Sequence, residues 1–398
     1  MNMNRRHFLS LASAAPLLTL PWANGLKAST GAALQPSTLL VMVYLKGGND
    51  AYNTFVPLND ARYRRLRPTL AIAREQLIPF SATHGFNAAL KPLLPLWENK
   101  EMALLQGIGQ QGITNQHYRD LETQFTAASP DQYYDDGWLT RALRANVGNG
   151  KLGTSQLDAL AFGDLDIREA DPMGPFRGNK IRVINMQHPS EWLVTQKVVG
   201  TQHLESTPAR AVVNTYAQPQ RVTLKTSFPA NEFGDALKAT AQLAAAGMAP
   251  PVVHISLTAV DDDQHHAFDT HWEQAKYHGA TLIKLADGLK AFRDAMREIG
   301  QWDNTLLATY DEFGRSPKEN AKQGTDHGWG STHFVLGGKV KGGLLGQPVP
   351  VVDVFQIDGP PPVMDYRELY TTIIEQWWQG NARGVFDRKF KTLDLLRT

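Results

Sequence analysis

Carboxylates and imidazoles gather at four places along the chain. They are Asp50 after Gly47-Gly48-Asn49, the run from Asp261-Asp262-Asp263 through His265 and His266 to Asp269 and His271, the Asp311-Glu312 pair ahead of Gly314-Arg315, and Asp326-His327 between Thr325 and Gly328. Oxygen and nitrogen donors without sulfur suit zinc, manganese or magnesium, and several carboxylates together suggest a site for two divalent metals. Cysteine is absent, which excludes disulfides, thiolate nucleophiles, Cys-ligated zinc and cysteine-held iron–sulfur clusters. Taken singly, each place has an ordinary explanation: Asp50 as a turn residue, Asp261 to Asp263 as a solvated charged loop, Asp326-His327 as a turn. Their relation to the strands is what joins them.

Thr38 to Leu45 (TLLVMVYL) is apolar without alternation, the pattern of a strand buried on both faces, and it runs into the Gly-rich turn that carries Asp50. Met102 to Leu105, Val252 to Thr258, Thr305 to Tyr310 and His333 to Leu336 read as further short buried strands. The second carboxylate run follows the Val252–Thr258 strand, Asp311-Glu312 follows Tyr310 directly, and Asp326-His327 just precedes the next strand. Leu282, Leu285, Leu289, Phe292, Met296 and Ile299 step by three and four and mark one helical face; a C-terminal helix is expected from about Tyr366 to Trp378. Strands alternating with such helices give a mainly parallel sheet with helices on both faces, an α/β/α sandwich in three layers. In such a sheet ligands collect outside the carboxyl ends of the strands. The acidic sets should therefore converge at one sheet edge.

A length of 398 residues with 42% hydrophobic residues can build a large core, and a net charge of +1 lacks the basic excess of a nucleic-acid binder. Residues 1–30 read as an address: Arg5-Arg6-His7-Phe8-Leu9 opens a mildly apolar, uncharged run to Leu20 that resembles a twin-arginine export signal. That run, weakened by Pro16 and Pro21, is short for a membrane span, and cleavage near Ala23 or Ala28 is expected. The partner implied is the twin-arginine translocation machinery, with the mature chain periplasmic or otherwise extracytoplasmic and exported folded. Residues 31–398 read as one domain, with Pro and Gly punctuation from about 148 to 220 suggesting an irregular insertion or cap.

The ordered set Gly47-Gly48-Asn49-Asp50, Phe268-Asp269-Thr270-His271, Glu312-Phe313-Gly314-Arg315, Thr325-Asp326-His327-Gly328 and Asp365-Tyr366-Arg367 before a Trp-rich helix resembles the twin-arginine-exported domain of unknown function 1501 family. That family is similar to the alkaline phosphatase-like superfamily of sulfatases, phosphodiesterases and phosphatases. The resemblance implies a two-metal centre in which Asp50 bridges the metals or binds the second, and Asp269 and His271 bind the first. It also implies that Asp311 and Glu312 stand where relatives place an Asp-His pair, and that Asp326 and His327 supply the last imidazole. The activity implied is hydrolysis of a phosphate or sulfate ester, of a small molecule or glycan, by in-line displacement.

One departure bears on that activity. Active members of the superfamily carry a hydroxyl or thiol nucleophile at the start of a helix after the second strand, where this chain reads Gly112-Ile113-Thr114-Asn115-Gln116-His117. A serine is expected just before His117, and Gln116 cannot form a covalent intermediate. Thr114 is the remaining candidate; otherwise it is an N-cap hydroxyl for the helix through Leu121 and Phe125. Arg315 or Lys46 is the candidate clamp for a non-bridging oxygen. The Ser206-Thr207-Pro208-Ala209-Arg210 match to a sulfatase modification core lies far from the expected position and is set aside. A metal-binding envelope protein without hydrolytic activity is the alternative that Gln116 favours.

Overall fold

The computed structural model describes residues 38–146, 157–163, 174–178, 181–186, 189–190, 222–257, 267–353 and 361–397. The export signal, Asp261 to Asp263, His265, His266 and Ser206 to Arg210 lie outside the described residues. Every described element belongs to one compact unit, Pro36–Thr398.

β1 (Leu39–Leu45) is buried on both faces: Leu39, Val41 and Val43 enter one core, and Leu40, Met42 and Tyr44 enter another. After α1 (Ala51–Thr54) the chain makes a small antiparallel sheet from β2 (Phe55–Pro57), β3 (Leu77–Pro79) and β4 (His84–Asn87), with α2 (Ala61–Leu66) between its first two strands. Then come α3 (Leu94–Glu98), β5 (Met102–Gly109), α4 (His117–Thr126), α5 (Trp138–Asn146), β6 (Ala159–Phe162) and β7 (Val183–Met186). α6 (Glu232–Ala245), β8 (Val252–Leu257), α7 (Gln274–Glu298) and β9 (Thr305–Tyr310) follow. A hairpin of β10 (Gly314–Glu319) and β11 (Thr325–Gly328) leads to β12 (Ser331–Gly337), β13 (Gly343–Gly346), β14 (Met364–Asp365) and α8 (Tyr366–Thr372).

The central sheet has the order β13-β5-β12-β9-β1-β8-β6-β7, with β14 beside β5. Among the described residues only β12 runs against the others, because the chain reaches it through the β10–β11 hairpin rather than a crossover helix. Apolar side chains of α6 and α7 close one face, and those of α4, α5 and α8 close the other, which makes three layers. The expected α/β sandwich with a mainly parallel sheet is the observed one.

Two expectations are corrected. The stretch from 148 to 220 contributes β6 and β7 to the main sheet in its described part; their four-residue runs are too short to read against the surrounding Pro and Gly. The C-terminal helix leaves α-geometry at Ile373 and finishes as a π-helical turn, Ile373–Trp377. Trp377 and Trp378 are buried core residues. Among the described residues no helix is long and apolar enough to cross a membrane.

Candidate metal centre

β1, β5, β8 and β9 point the same way, so the segments after them meet at one edge. The turn after β1 admits no side chain at its first glycine. Gly47 has φ +104°, and a Cβ there would stand 2.3 Å from the backbone nitrogen of Asp269. The Gly47 N–H donates to Glu312 Oε1 at 3.1 Å and the Asn49 N–H to Asp311 Oδ2 at 2.9 Å, which tie this turn to the segment after β9. The segment after β8 is laced to the hairpin: Thr325 N–H donates to the Thr270 carbonyl at 3.0 Å and Asn320 Nδ2 to the His271 carbonyl at 3.0 Å.

His117, Asp269, His271 and His327 form one half-buried group whose donor atoms all lie within 4.8 Å of one another. Each imidazole is held through Nδ1 by an oxygen that only accepts. Glu312 Oε1 holds His117 at 2.8 Å, Asp326 Oδ1 faces His271 at 3.3 Å, and the Asn115 carbonyl holds His327 at 2.7 Å. Asn115 presents that carbonyl from the left-handed region, at φ 56°, which Asn tolerates better than most residues. With the proton on Nδ1, the Nε2 lone pairs turn inward, as ligating histidines require.

The inward separations are 2.9 Å from His271 Nε2 to His327 Nε2, and 3.4, 3.1 and 3.5 Å from Asp269 oxygens to His117, His271 and His327 Nε2. Donors about 2.0–2.2 Å from a tetrahedral zinc stand about 3.3 Å apart. The residues therefore fit a single divalent ion of the zinc class. Two facing imidazole lone pairs do not bond to each other; they call for a cation or a proton.

The electrostatics agree. Burial acts to lower the His117 pKa, but its bonds to Asp269 and Glu312 outweigh that and raise it to about 9. Burial acts to raise the Asp269 pKa, yet the three histidines and Arg315 hold its carboxyl far below the usual range. Burial lowers the His327 pKa. Phe313 lies flat against His327, with centroids 4.2 Å apart, and fixes the plane of that ring.

The other expected ligands are held by protein donors. Asp50 caps α1 through Tyr52 N–H at 3.1 Å, pairs with Arg67 at 2.5 Å and accepts from Gln274, with both charged side chains fully buried. Burial acts to raise its pKa, but Arg67 holds it low. Asp311 accepts from Ser331 Oγ at 2.5 Å and faces His333 Nε2 at 3.2 Å. Glu312 and Asp326 stand behind the histidines rather than among the converging donors. Among the described residues, the two-metal expectation thus reduces to one four-residue group.

Arg315 is also placed differently from its expected role as a clamp. Its Nε donates to the Gly48 carbonyl at 3.1 Å and Nη1 to the Thr325 carbonyl at 3.1 Å, while Nη2 meets the Gly47 carbonyl and Asp269. It is a buried brace for Asp269. Thr114 is exposed and is not the N-cap; that position is Gln116, and Thr114 Oγ1 donates to Asp120 Oδ1 at 2.9 Å. Asp120 also accepts from the N–H groups of Thr114 and Gln116, at 2.8 and 3.0 Å, and so serves the helix start from within. His117, expected from the sequence as a catalytic residue of the nucleophile segment rather than as a ligand, is the fourth member of the group. The Asn115 carbonyl had no sequence signal beyond an Asn in a polar turn.

Residues 209–375 match the family described as protein of unknown function (DUF1501). The chain is similar to that family over these 167 of its 398 residues. The matched segment holds Asp269, His271 and His327 with Glu312 and Arg315, while His117 comes from outside it, on α4. No curated protein matches the sequence. Solved structures to which the chain is similar include the PsFucS1 sulfatase from Pseudoalteromonas sp., at 10% identity over 90% of this chain and 71% of that one, with a TM-score of 0.41. Another is the phosphonate monoester hydrolase SpPMH from Silicibacter pomeroyi, at 11% identity over 87% and 74% of the two chains, TM-score 0.38. A third is a protein in the alkaline phosphatase superfamily from Vibrio parahaemolyticus, at 11% identity over 77% and 61%, TM-score 0.35.

Proposed function

We propose that the protein is an exported, metal-dependent hydrolase of phosphate or sulfate esters working with one divalent ion. The observation that carries this reading is the convergence of three Nε2 lone pairs and the Asp269 carboxylate at the strand ends. His117, Asp269, His271 and His327 would hold the ion, which when bound supplies Lewis acidity toward an ester oxygen or water. Glu312, Asp326 and the Asn115 carbonyl orient the imidazoles, and Arg315 fixes Asp269. The histidine side chains keep 28%, 29% and 16% of their surface exposed at His117, His271 and His327, so solvent reaches the group. The ester class rests on the family resemblance that the sequence motifs carry, and this reading gives Thr114, whose hydroxyl donates to Asp120, no part in the reaction.

The donor set itself favours a second reading. Four protein donors are the number of a closed structural zinc site, and a non-hydrolytic metal-binding protein would need no group at Gln116. Elemental analysis of purified wild type, His271→Ala and His327→Ala, combined with turnover of aryl phosphate, phosphodiester and sulfate esters, separates the two. Bound metal lost in both variants together with turnover supports the hydrolase. Bound metal without turnover of any ester supports the second reading, and wild type that takes up no zinc, manganese or magnesium overturns both.

A further inference from the structure

A cavity of about 490 Å³ opens beyond α8, between its C-terminal continuation and the loop from Asn381 to Phe390. Its size is that of a small-molecule site. The loop is pinned from below: Arg141 on α5 donates to the Val385 carbonyl through Nε at 3.0 Å and Nη2 at 2.7 Å, and Asn381 Oδ1 accepts from the Arg383 N–H at 2.8 Å. Phe386 and Phe390, packed edge to face at 5.6 Å, are largely buried and give the cavity an apolar wall. Two guanidinium groups approach the Phe390 ring, Arg367 at 4.4 Å and Arg388 at 5.1 Å from its centre.

The charges at this cavity are unevenly answered. Asp387 already accepts from Ser129 Oγ at 2.9 Å and stands 4.0 Å from Arg367, whose own fork is held by Asp365. Glu375 is then the lining carboxylate left to set against Arg383, Arg388 and Lys389, all exposed. Exposed cations beside an apolar wall suit a ligand with an anionic group on a ring: the anion meets Arg or Lys, and the ring packs on the part of the wall left open. We infer that this cavity binds a small organic anion, a phosphate or sulfate carried on a ring, at a site separate from the metal group. None of its lining residues belongs to that group.

The test is calorimetric titration of the full-length protein, as wild type and as a His271→Ala/His327→Ala variant, with p-nitrophenyl sulfate and p-nitrophenyl phosphate. p-Nitrophenyl glucoside serves as the uncharged control and inorganic sulfate as the ringless one. The expected result is saturable binding of an aryl anion that survives loss of the metal group and weakens about tenfold or more in Arg383→Ala and Arg388→Ala. Weaker binding of the glucoside and of inorganic sulfate is expected as well. Absence of saturable aryl-anion binding, binding abolished by the histidine changes, or binding indifferent to both arginine changes each overturns the inference. Inorganic sulfate binding as tightly as the aryl ester overturns the role of the ring. The variants sit on exposed side chains, and circular dichroism checks their fold.

Discussion

Asp50 and Asp269 are carboxylates a short way past the ends of parallel strands, yet their surroundings give them opposite tasks. Asp50 has Arg67 and Gln274 for company and no path to solvent, so it is an anchor for the chain around α1 and α2. Asp50→Ala leaves the Arg67 guanidinium buried without its counter-charge, a loss of about 3–5 kcal/mol. Denaturant unfolding should show that loss, while the folded fraction keeps its metal. Asp269 instead faces three imidazoles. In the cation-free protein His117 keeps its proton up to about pH 9, and a divalent ion must displace it. Zinc affinity should therefore rise as pH increases from about 6.5, by ~tenfold per pH unit for one displaced proton, and level off above about 9. A competition titration with a chromophoric chelator reads this directly, and a flat profile would refute it. The Asp269, His271 and His327 contributions were legible because their types sit beside strand ends. His117 was legible as a catalytic candidate beside an expected nucleophile but not as a member of the donor group, since its place depends on β5 bringing α4 to the same edge. The commitment of Asp50, Asp311 and Arg315 to other partners was not legible, because Arg67, Ser331 and the Gly47 and Gly48 carbonyls are contacts made by folding.

At the level of elements, the turn after β1 and the β10–β11 hairpin set the distance between the halves of the site. The close approach of Gly47 to Asp269 is the tightest constraint in that turn, and its φ already disfavours a side chain. Gly47→Ala should lower zinc affinity at least tenfold through displacement of Asp269, with the far-ultraviolet dichroism of the sheet and helices retained; equal affinity in the variant would show that the turn relaxes elsewhere. Strands buried on both faces announce themselves by unbroken apolar runs, which is why β1, β8 and β9 were readable to within a residue or so. Direction was harder. The hairpin that reverses β12 is built from Arg315, Lys318, Asn320 and similar residues, with no apolar alternation to mark it. β6 and β7 escaped for a different reason: four buried residues make a strand only when a neighbour such as β8 is already there to pair.

For the molecule as a whole, the proposed route out of the cytoplasm rests on Arg5-Arg6. Lysine at both positions should leave folded protein inside the cell and deplete it from the periplasm, as fractionation and immunoblotting would show; unchanged periplasmic protein would assign export to another signal. Ligation should also show in global stability. An ion that binds only the folded chain adds about 2.7 kcal/mol at a free concentration one hundred times its Kd. Thermal scans of wild type with and without zinc should separate, and scans of His327→Ala should superimpose.

The four donors come from α4, from the segment after β8 and from the hairpin before β12, places up to 210 positions apart in the chain. With such separations, only a chain whose sheet has assembled brings them together. Capture of the ion is therefore a late act, open only to a sheet that has closed. Under the proposed export in the folded state, the choice among competing ions would be made by the compartment in which folding ends, and an ion held outside the cell would record the metal supply inside.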